Sequence, residues 1–306
     1  MVSGIITAIV VVGIVGLIVG LFLGIAAISF KVEVDEREEA VLEALPGNNC
    51  GGCGYAGCSG LAAAIVKGEA PVNACPVGGD AVGDKIADIM GVEAQKGQRQ
   101  VAFVHCKGDC NKAKTDYEYS GVEDCSMVAY VPGGGPKSCN YGCLGYGNCV
   151  KACPFDAIHV VDGVAVVDKE ACKACGKCIE ACPKKLISFV PYTAKHIVAC
   201  SSKDKGPVAM KACDVACIGC GLCKKNCPNG AITVEDFHAT IDQDKRTQCG
   251  KCAEVCPKNI PIPKYFSLYN ADLQEVDGKP FNVQWNYYNN LTQTFGKASD
   301  CIGCKK

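Results

Sequence analysis

Histidine and tryptophan are scarce in this chain of 306 residues, with four His and a single Trp. So few imidazoles leave little for the mixed Cys/His tetrahedra that zinc often takes. No Gly-x-Gly-x-x-Gly stands between a strand pattern and a helix pattern, so no dinucleotide domain and no direct nucleotide binding are expected. VPGGGPKS (131–138) looks like a phosphate loop at a glance, but Pro136 occupies the place of the glycine before the lysine. It reads as a connecting turn. No nucleophile–base pair stands out, so no catalytic residue is assigned. A net charge of −1 gives no electrostatic footprint for nucleic acid.

Charge is also missing from one end. Residues 1–30 carry no charged side chain. GIITAIVVVGIVGLIVGLFLGIAAISF (4–30) exceeds the about 20 apolar residues that cross a bilayer. No Lys or Arg precedes it, as one would in a secretory signal, so it reads as a retained transmembrane anchor. Gly16, Gly20 and Gly24 share one helix face, where small residues let another membrane helix approach. Lys31 follows the span and favours a cytoplasmic C-terminal side. The expected location is the cell membrane, single-pass, with the remaining domains in the cytoplasm. VEVDEREEA (32–40) reads as a solvated helix face.

Cysteine is abundant, at 26 residues. The thiols come in runs spaced by two or three residues, too close in sequence for ordinary disulfide geometry within a run. Such runs are metal ligands. Triple runs closed by Cys-Pro suit iron–sulfur clusters better than zinc. NNCGGCGYAGCSG opens a first module whose ligand set is Cys50, Cys53, Cys58 and Cys75, the last followed by Pro76. Its glycines let the backbone wrap a compact 4Fe–4S cluster. LAAAIVKGEA, before the fourth cysteine, reads as helix.

Farther on the chain repeats itself. Cys139, Cys143, Cys149 and Cys153 return 74 positions later as Cys213, Cys217, Cys223 and Cys227. Cys175, Cys178 and Cys182 return as Cys249, Cys252 and Cys256 at the same offset. This is a duplicated unit. Each copy holds two ferredoxin motifs joined by a short strand–turn–strand, AIHVVDGVAVVD (157–168) and AITVEDFHATID (231–242). In two-cluster ferredoxins the fourth cysteine of each run serves the other cluster, which knits each copy into one small α+β domain.

The copies differ in two ligands. Unit one has Tyr146 where unit two has Cys220, and Cys139 is taken as the substitute. Unit two has Arg246 where unit one has Cys172, and arginine cannot ligate iron because it stays protonated. The expected 4Fe–4S sets are therefore Cys50/Cys53/Cys58/Cys75, Cys139/Cys143/Cys149/Cys182, Cys153/Cys172/Cys175/Cys178 and Cys217/Cys220/Cys223/Cys256. A fifth, incomplete site keeps Cys227, Cys249 and Cys252 beside Arg246. It holds a 3Fe–4S cluster, borrows a distant thiol such as Cys213, or stays empty. Cys106, Cys110, Cys125, Cys200, Cys213, Cys301 and Cys304 are left over. Cys106, Cys125, Cys200 and Cys213 are either a further cluster or buried structural thiols.

The expected organisation is an anchor at 1–30, a helical four-Cys module at 31–95, and a linking segment at 96–138. Ferredoxin-like units follow at 139–190 and 191–260, with an irregular tail at 261–306. The fold class is α+β.

Anchor, glycine-rich module and paired ferredoxin motifs, in that order, resemble the B subunits of Rnf electron-transport complexes of the clostridial type. NNCGGCGYAGC, HCKGDC, YSGVEDC, CNYGCLGYGNCVKACPFDAI, ACGKCIEACPKKLI and CIGCGLCKKNCPNGAI carry the resemblance, over residues 1–240. It implies a complex that passes electrons between reduced ferredoxin and NAD⁺ and couples this to Na⁺ or H⁺ translocation. The B subunit would dock soluble ferredoxin and relay electrons to the other membrane subunits, which carry the nucleotide and flavin chemistry. CPKNIPIPKYFSLYN (256–270) and NNLTQTFGKASDCIGC (289–304) are instead similar to the iron–sulfur tail of certain aldo-keto reductases. Their final run stops as half a motif, read as a fusion, a truncation or a misassigned C-terminus. Two other readings compete. One is a polyferredoxin of another membrane reductase or redox-regulatory complex. The other is a metal-binding scaffold with zinc in its thiolate sites, colourless where iron–sulfur protein is brown.

Overall fold

The structure, a computed structural model, describes residues 2–29, 35–94 and 97–260. Val2–Ser29 form one helix of 28 residues, α1. Its Gly16, Gly20 and Gly24 face open space. Every side chain described in it is exposed, and the longest such run is 10–25. Counted over the described residues, no helix is long and apolar enough to cross a membrane. The tail at 261–306, with its half motif and its likeness to aldo-keto reductases, lies outside the described residues.

Three helices form the next unit: α2 (Glu36–Ala44), α3 (Cys58–Val66) and α4 (Gly79–Met90). The acidic stretch begins α2, and the Asp35 side chain caps it by accepting from the Arg37 amide. Glu36, Glu38 and Glu39 crowd the first turn, where the helix dipole favours negative charge. Val41, Leu61, Ile65 and Ile86 are buried together between the three helices. Gly91 ends α4 in the left-handed region, as a C-terminal glycine does.

The duplication survives in the backbone. The strand β1 (Gln100–Val104) and the short helix α5 (Cys125–Val128) precede the first copy. That copy contains α6 (Asn148–Lys151), a hairpin of β2 (Ile158–Val161) with β3 (Val164–Val167), and α7 (Lys177–Glu180). The strand β4 (Ile187–Pro191) closes it, and α8 (Gly206–Ala212) leads on. The second copy has α9 (Leu222–Lys225), a hairpin of β5 (Ile232–Glu235) with β6 (His238–Ile241), and α10 (Lys251–Glu254). Every copied element is displaced by the same 74 positions. Within the two copies, each thiol-bearing helix follows a glycine in the left-handed region: Gly147, Gly176, Gly221 and Gly250. A side chain at these positions would be strained.

The hairpins pair antiparallel with Ile158 opposite Val167 and Ile232 opposite Ile241. In unit one, β1 pairs antiparallel with β4, Val101 opposite Val190. Val101, Ile158, Val164 and Ile187 fall in one buried core. The segment at 96–138 is thus more than a link, since β1 completes that core. Its residues 112–115 also join the two copies. The Lys114 amide donates to the Ala212 carbonyl at 2.9 Å, and the Ser138 amide donates to the Lys114 carbonyl at 2.8 Å. The turn at 131–138 is no phosphate loop. Lys137 is buried and donates to the carbonyls of Gly108 and Gly163 at 3.0 and 2.9 Å.

Ile158 is 1% exposed in the core of unit one. Ile158→Ala is expected to destabilise that unit by about 2–5 kcal/mol. The change would be read as an earlier urea midpoint for loss of visible absorbance from the anaerobic protein.

Candidate metal centres

In the first module, Asn49 sits in the left-handed region, and its side-chain oxygen accepts from the Cys58 amide at 2.8 Å. That bond ties the loop bearing Cys50 and Cys53 to the start of α3. Cys75 closes the set from beyond α3, and its sulfur accepts from the Gly78 amide at 3.4 Å. Burial pushes the Cys75 thiol up, and the neighbouring Cys53 and Cys58 add to the shift. A Cβ on Gly52 would meet the Cys175 carbonyl oxygen at 2.8 Å, so only glycine lets this module close on unit one.

Unit one brings together two sets of thiols. Cys178 has Cys172, Cys175 and Cys153 as its charged neighbours, and burial pushes its thiol up to about 12. The other set departs from expectation. A cavity beside the hairpin is walled by Cys125, Cys143, Cys149 and Cys182, and Cys139 does not line it. Cys125 begins α5, where Asp124 caps the helix. Asn148, next to Cys149, locks it in place. Its side-chain oxygen accepts from the Cys125 amide at 2.9 Å, and its side-chain nitrogen donates to Asp124 at 3.0 Å. Tyr146 leaves the thiol position empty and packs edge-on against Tyr119, ring centroids 5.9 Å apart. Cys139 is close in sequence, but the chain folds the 119–125 stretch back instead. No local spacing rule reveals this, because Cys125 stands 18 residues before the nearest of its partners, Cys143.

Unit two has two thiol-walled cavities. Cys217, Cys220, Cys223 and Cys256 wall one cavity. Cys227, Cys249 and Cys252 wall another together with Arg246 and His196. The Nη1 of Arg246 is buried there with no hydrogen-bond partner. A buried donor without an acceptor is costly. An anion in that cavity would satisfy it. A further cavity gathers Cys106, Cys139, Cys200 and Cys213.

The thiol sets fit iron–sulfur clusters in a second respect. Backbone N–H groups point at the sulfurs: Ala157 to Cys153, Ala165 to Cys143, Ala102 to Cys172, Leu186 to Cys182 and Ile260 to Cys256, each at 3.4 Å. Such donors stabilise cluster thiolates and tune their potential. Among the described residues, no three His, Cys, Asp or Glu side chains meet closely enough to hold a single metal ion. The sulfurs surround cavities rather than points.

Fold and thiol geometry together define a ferredoxin-type iron–sulfur protein. The family model for an Fe-S cluster matches residues 45–77, and models for 4Fe-4S dicluster domains match 136–183 and 216–260. The chain is 46% identical to the B subunit of the ion-translocating oxidoreductase complex of Methanosarcina acetivorans, covering 84% of this chain and 97% of that one. It is 49% identical to the B subunit of the Na⁺-translocating ferredoxin:NAD⁺ oxidoreductase complex of Acetobacterium woodii, over 85% of this chain and 78% of the relative. A proton-translocating counterpart in Clostridium ljungdahlii is 45% identical, over 83% and 90%. The chain belongs to this family of B subunits, that of the Rnf complexes.

Replacing Cys125 by Ser removes one of four thiols around the unit-one cavity. Iron is expected to fall by about one to four atoms per chain in anaerobically purified protein. Unchanged iron would return the ligand role to Cys139.

Proposed function

We propose that this chain is the multi-cluster electron-transfer subunit of an Rnf-type complex. It relays electrons between soluble ferredoxin and the other membrane subunits, in a ferredoxin:NAD⁺ oxidoreductase coupled to Na⁺ or H⁺ translocation. The observation that carries this reading is the series of thiol-walled cavities in a chain that shares nearly the whole length of its relatives. A bound iron–sulfur cluster takes up and releases one electron at a time. The chain's own residues hold it, bury it and donate hydrogen bonds to its thiolates. Burial matters because low dielectric strengthens each N–H···S contact.

The ligand sets are Cys50/Cys53/Cys58/Cys75, Cys125/Cys143/Cys149/Cys182, Cys153/Cys172/Cys175/Cys178 and Cys217/Cys220/Cys223/Cys256. The Arg246 site keeps three thiols, Cys227, Cys249 and Cys252, and holds a 3Fe–4S cluster. The unpartnered Arg246 Nη1 supports this, since its N–H would donate to the cluster where a fourth iron would otherwise stand. The helix Val2–Ser29 is a single membrane anchor, supported by its uncharged sequence, with the cluster domains on the cytoplasmic side. Lysines beside the clusters, Lys151 in KACPFD and Lys224 and Lys225 in CKKNCP, suit an acidic ferredoxin.

Reduced ferredoxin added without oxygen to the purified full-length chain should bleach its visible absorbance. No bleaching, with iron present, would sink the relay. Arg246→Cys should raise iron by about one atom per chain and abolish the oxidised-state EPR signal of a three-iron cluster. Persistence of that signal would place the three-iron cluster elsewhere, and its absence from the wild type would leave the site without one.

A further inference from the structure

Four thiols outside the regular motifs share one cavity, and they come from both copies of the duplicated unit. Cys106 and Cys139 belong to the first half, Cys200 and Cys213 to the second. Cys106, Cys200 and Cys213 are buried, and all four are free thiols. The space there, open solvent included, is about 330 Å³, against about 400 and 420 Å³ at the cavities walled by Cys143 and by Cys217. Gly108 keeps it open, because a Cβ there would stand 3.1 Å from the Cys213 sulfur.

The surroundings suit thiolates. The Cys106 sulfur accepts from the Cys143 amide at 3.3 Å. The Cys200 sulfur accepts from the Cys217 and Ser202 amides at 3.3 and 3.4 Å. The buried Lys137 ammonium donates to the Gly108 carbonyl beside them. Buried negative charge is stabilised by amide donors and by a nearby cation. His238 steadies the loop through a 2.6 Å contact with the Cys200 carbonyl.

We propose that Cys106, Cys139, Cys200 and Cys213 hold a further 4Fe–4S cluster that joins the two ferredoxin units. The proposal rests on reading the regular motifs as iron–sulfur sites. Its position gives it a role. The amide that meets Cys106 belongs to Cys143, a wall of the unit-one cavity, and an amide that meets Cys200 belongs to Cys217, a wall of the unit-two cavity. A cluster there lies between those two sites and makes the series continuous from the first module to Arg246.

The test is iron, acid-labile sulfide and zinc per chain in the full-length protein, prepared without oxygen. Four regular clusters with three irons at the Arg246 site account for at most about 19 iron, and the bridging cluster raises the total to about 23. The double variant Cys106→Ser/Cys213→Ser should lose about four iron and four sulfide. If that variant does not fold, Cys139→Ser, at the least buried of the four thiols, takes its place and should lose at least one iron. Wild-type iron at or below about 19, or variants with wild-type iron, would overturn the proposal. One zinc per chain that disappears in the variants would overturn it too. Little iron anywhere would instead defeat the iron–sulfur reading as a whole.

Discussion

A buried thiolate must be met by something that offsets its charge, and the rest of this structure is arranged around that requirement. Burial, with the neighbouring thiols adding to it, pushes these thiols up, Cys178 and Cys200 to about 12 and Cys139 to about 11. In that state they hold their protons. Iron displaces the proton and supplies the compensating charge, while backbone N–H groups share the remainder. Many of those donors lie in strands, at Ala102 and Ala165, or just before them, at Ala157 and Leu186. The small strands of each copy therefore serve less as a core in their own right than as a frame that aims amides at sulfur.

Duplication explains how so short a chain builds several such frames. Each copy brings its own hairpin and two glycine-led helices, and the crossing of the fourth cysteine locks the halves of a copy together. The copies then had to be joined. Residues 112–115 do this by donating and accepting backbone hydrogen bonds on both sides. The thiols of Cys106, Cys139, Cys200 and Cys213 gather at that seam. The first module meets unit one at another close approach, where Gly52 lies against Cys175. Contact at both joints keeps neighbouring sites near one another, which a relay between them requires.

Departures from symmetry are handled in two ways. Where unit one lacks a thiol at Tyr146, a distant cysteine on α5 lines the cavity, fastened through Asn148. Where unit two lacks one at Arg246, the guanidinium lines the cavity and leaves a buried Nη1 without a hydrogen-bond partner. The first keeps four thiols around the cavity. The second keeps three and adds a donor.

The residues themselves determined much of this. Spacing within a run depends only on local chain geometry, so the cysteine runs and their offset of 74 were legible in the cysteines alone. The hairpins were legible because each is a short strand–turn–strand pattern between two cysteine runs. Family membership was legible in the order of the motifs. Tertiary structure decided the rest, because a thiol far away in sequence costs nothing to recruit once the chain has folded back. Cys125 rather than Cys139 lines the unit-one cavity for that reason, and β1 joins a core that the 96–138 segment gave no sign of entering. The gathering of Cys106 with Cys139, Cys200 and Cys213 is likewise a product of folding. No spacing rule relates residues that meet only where two copies of a unit are packed together.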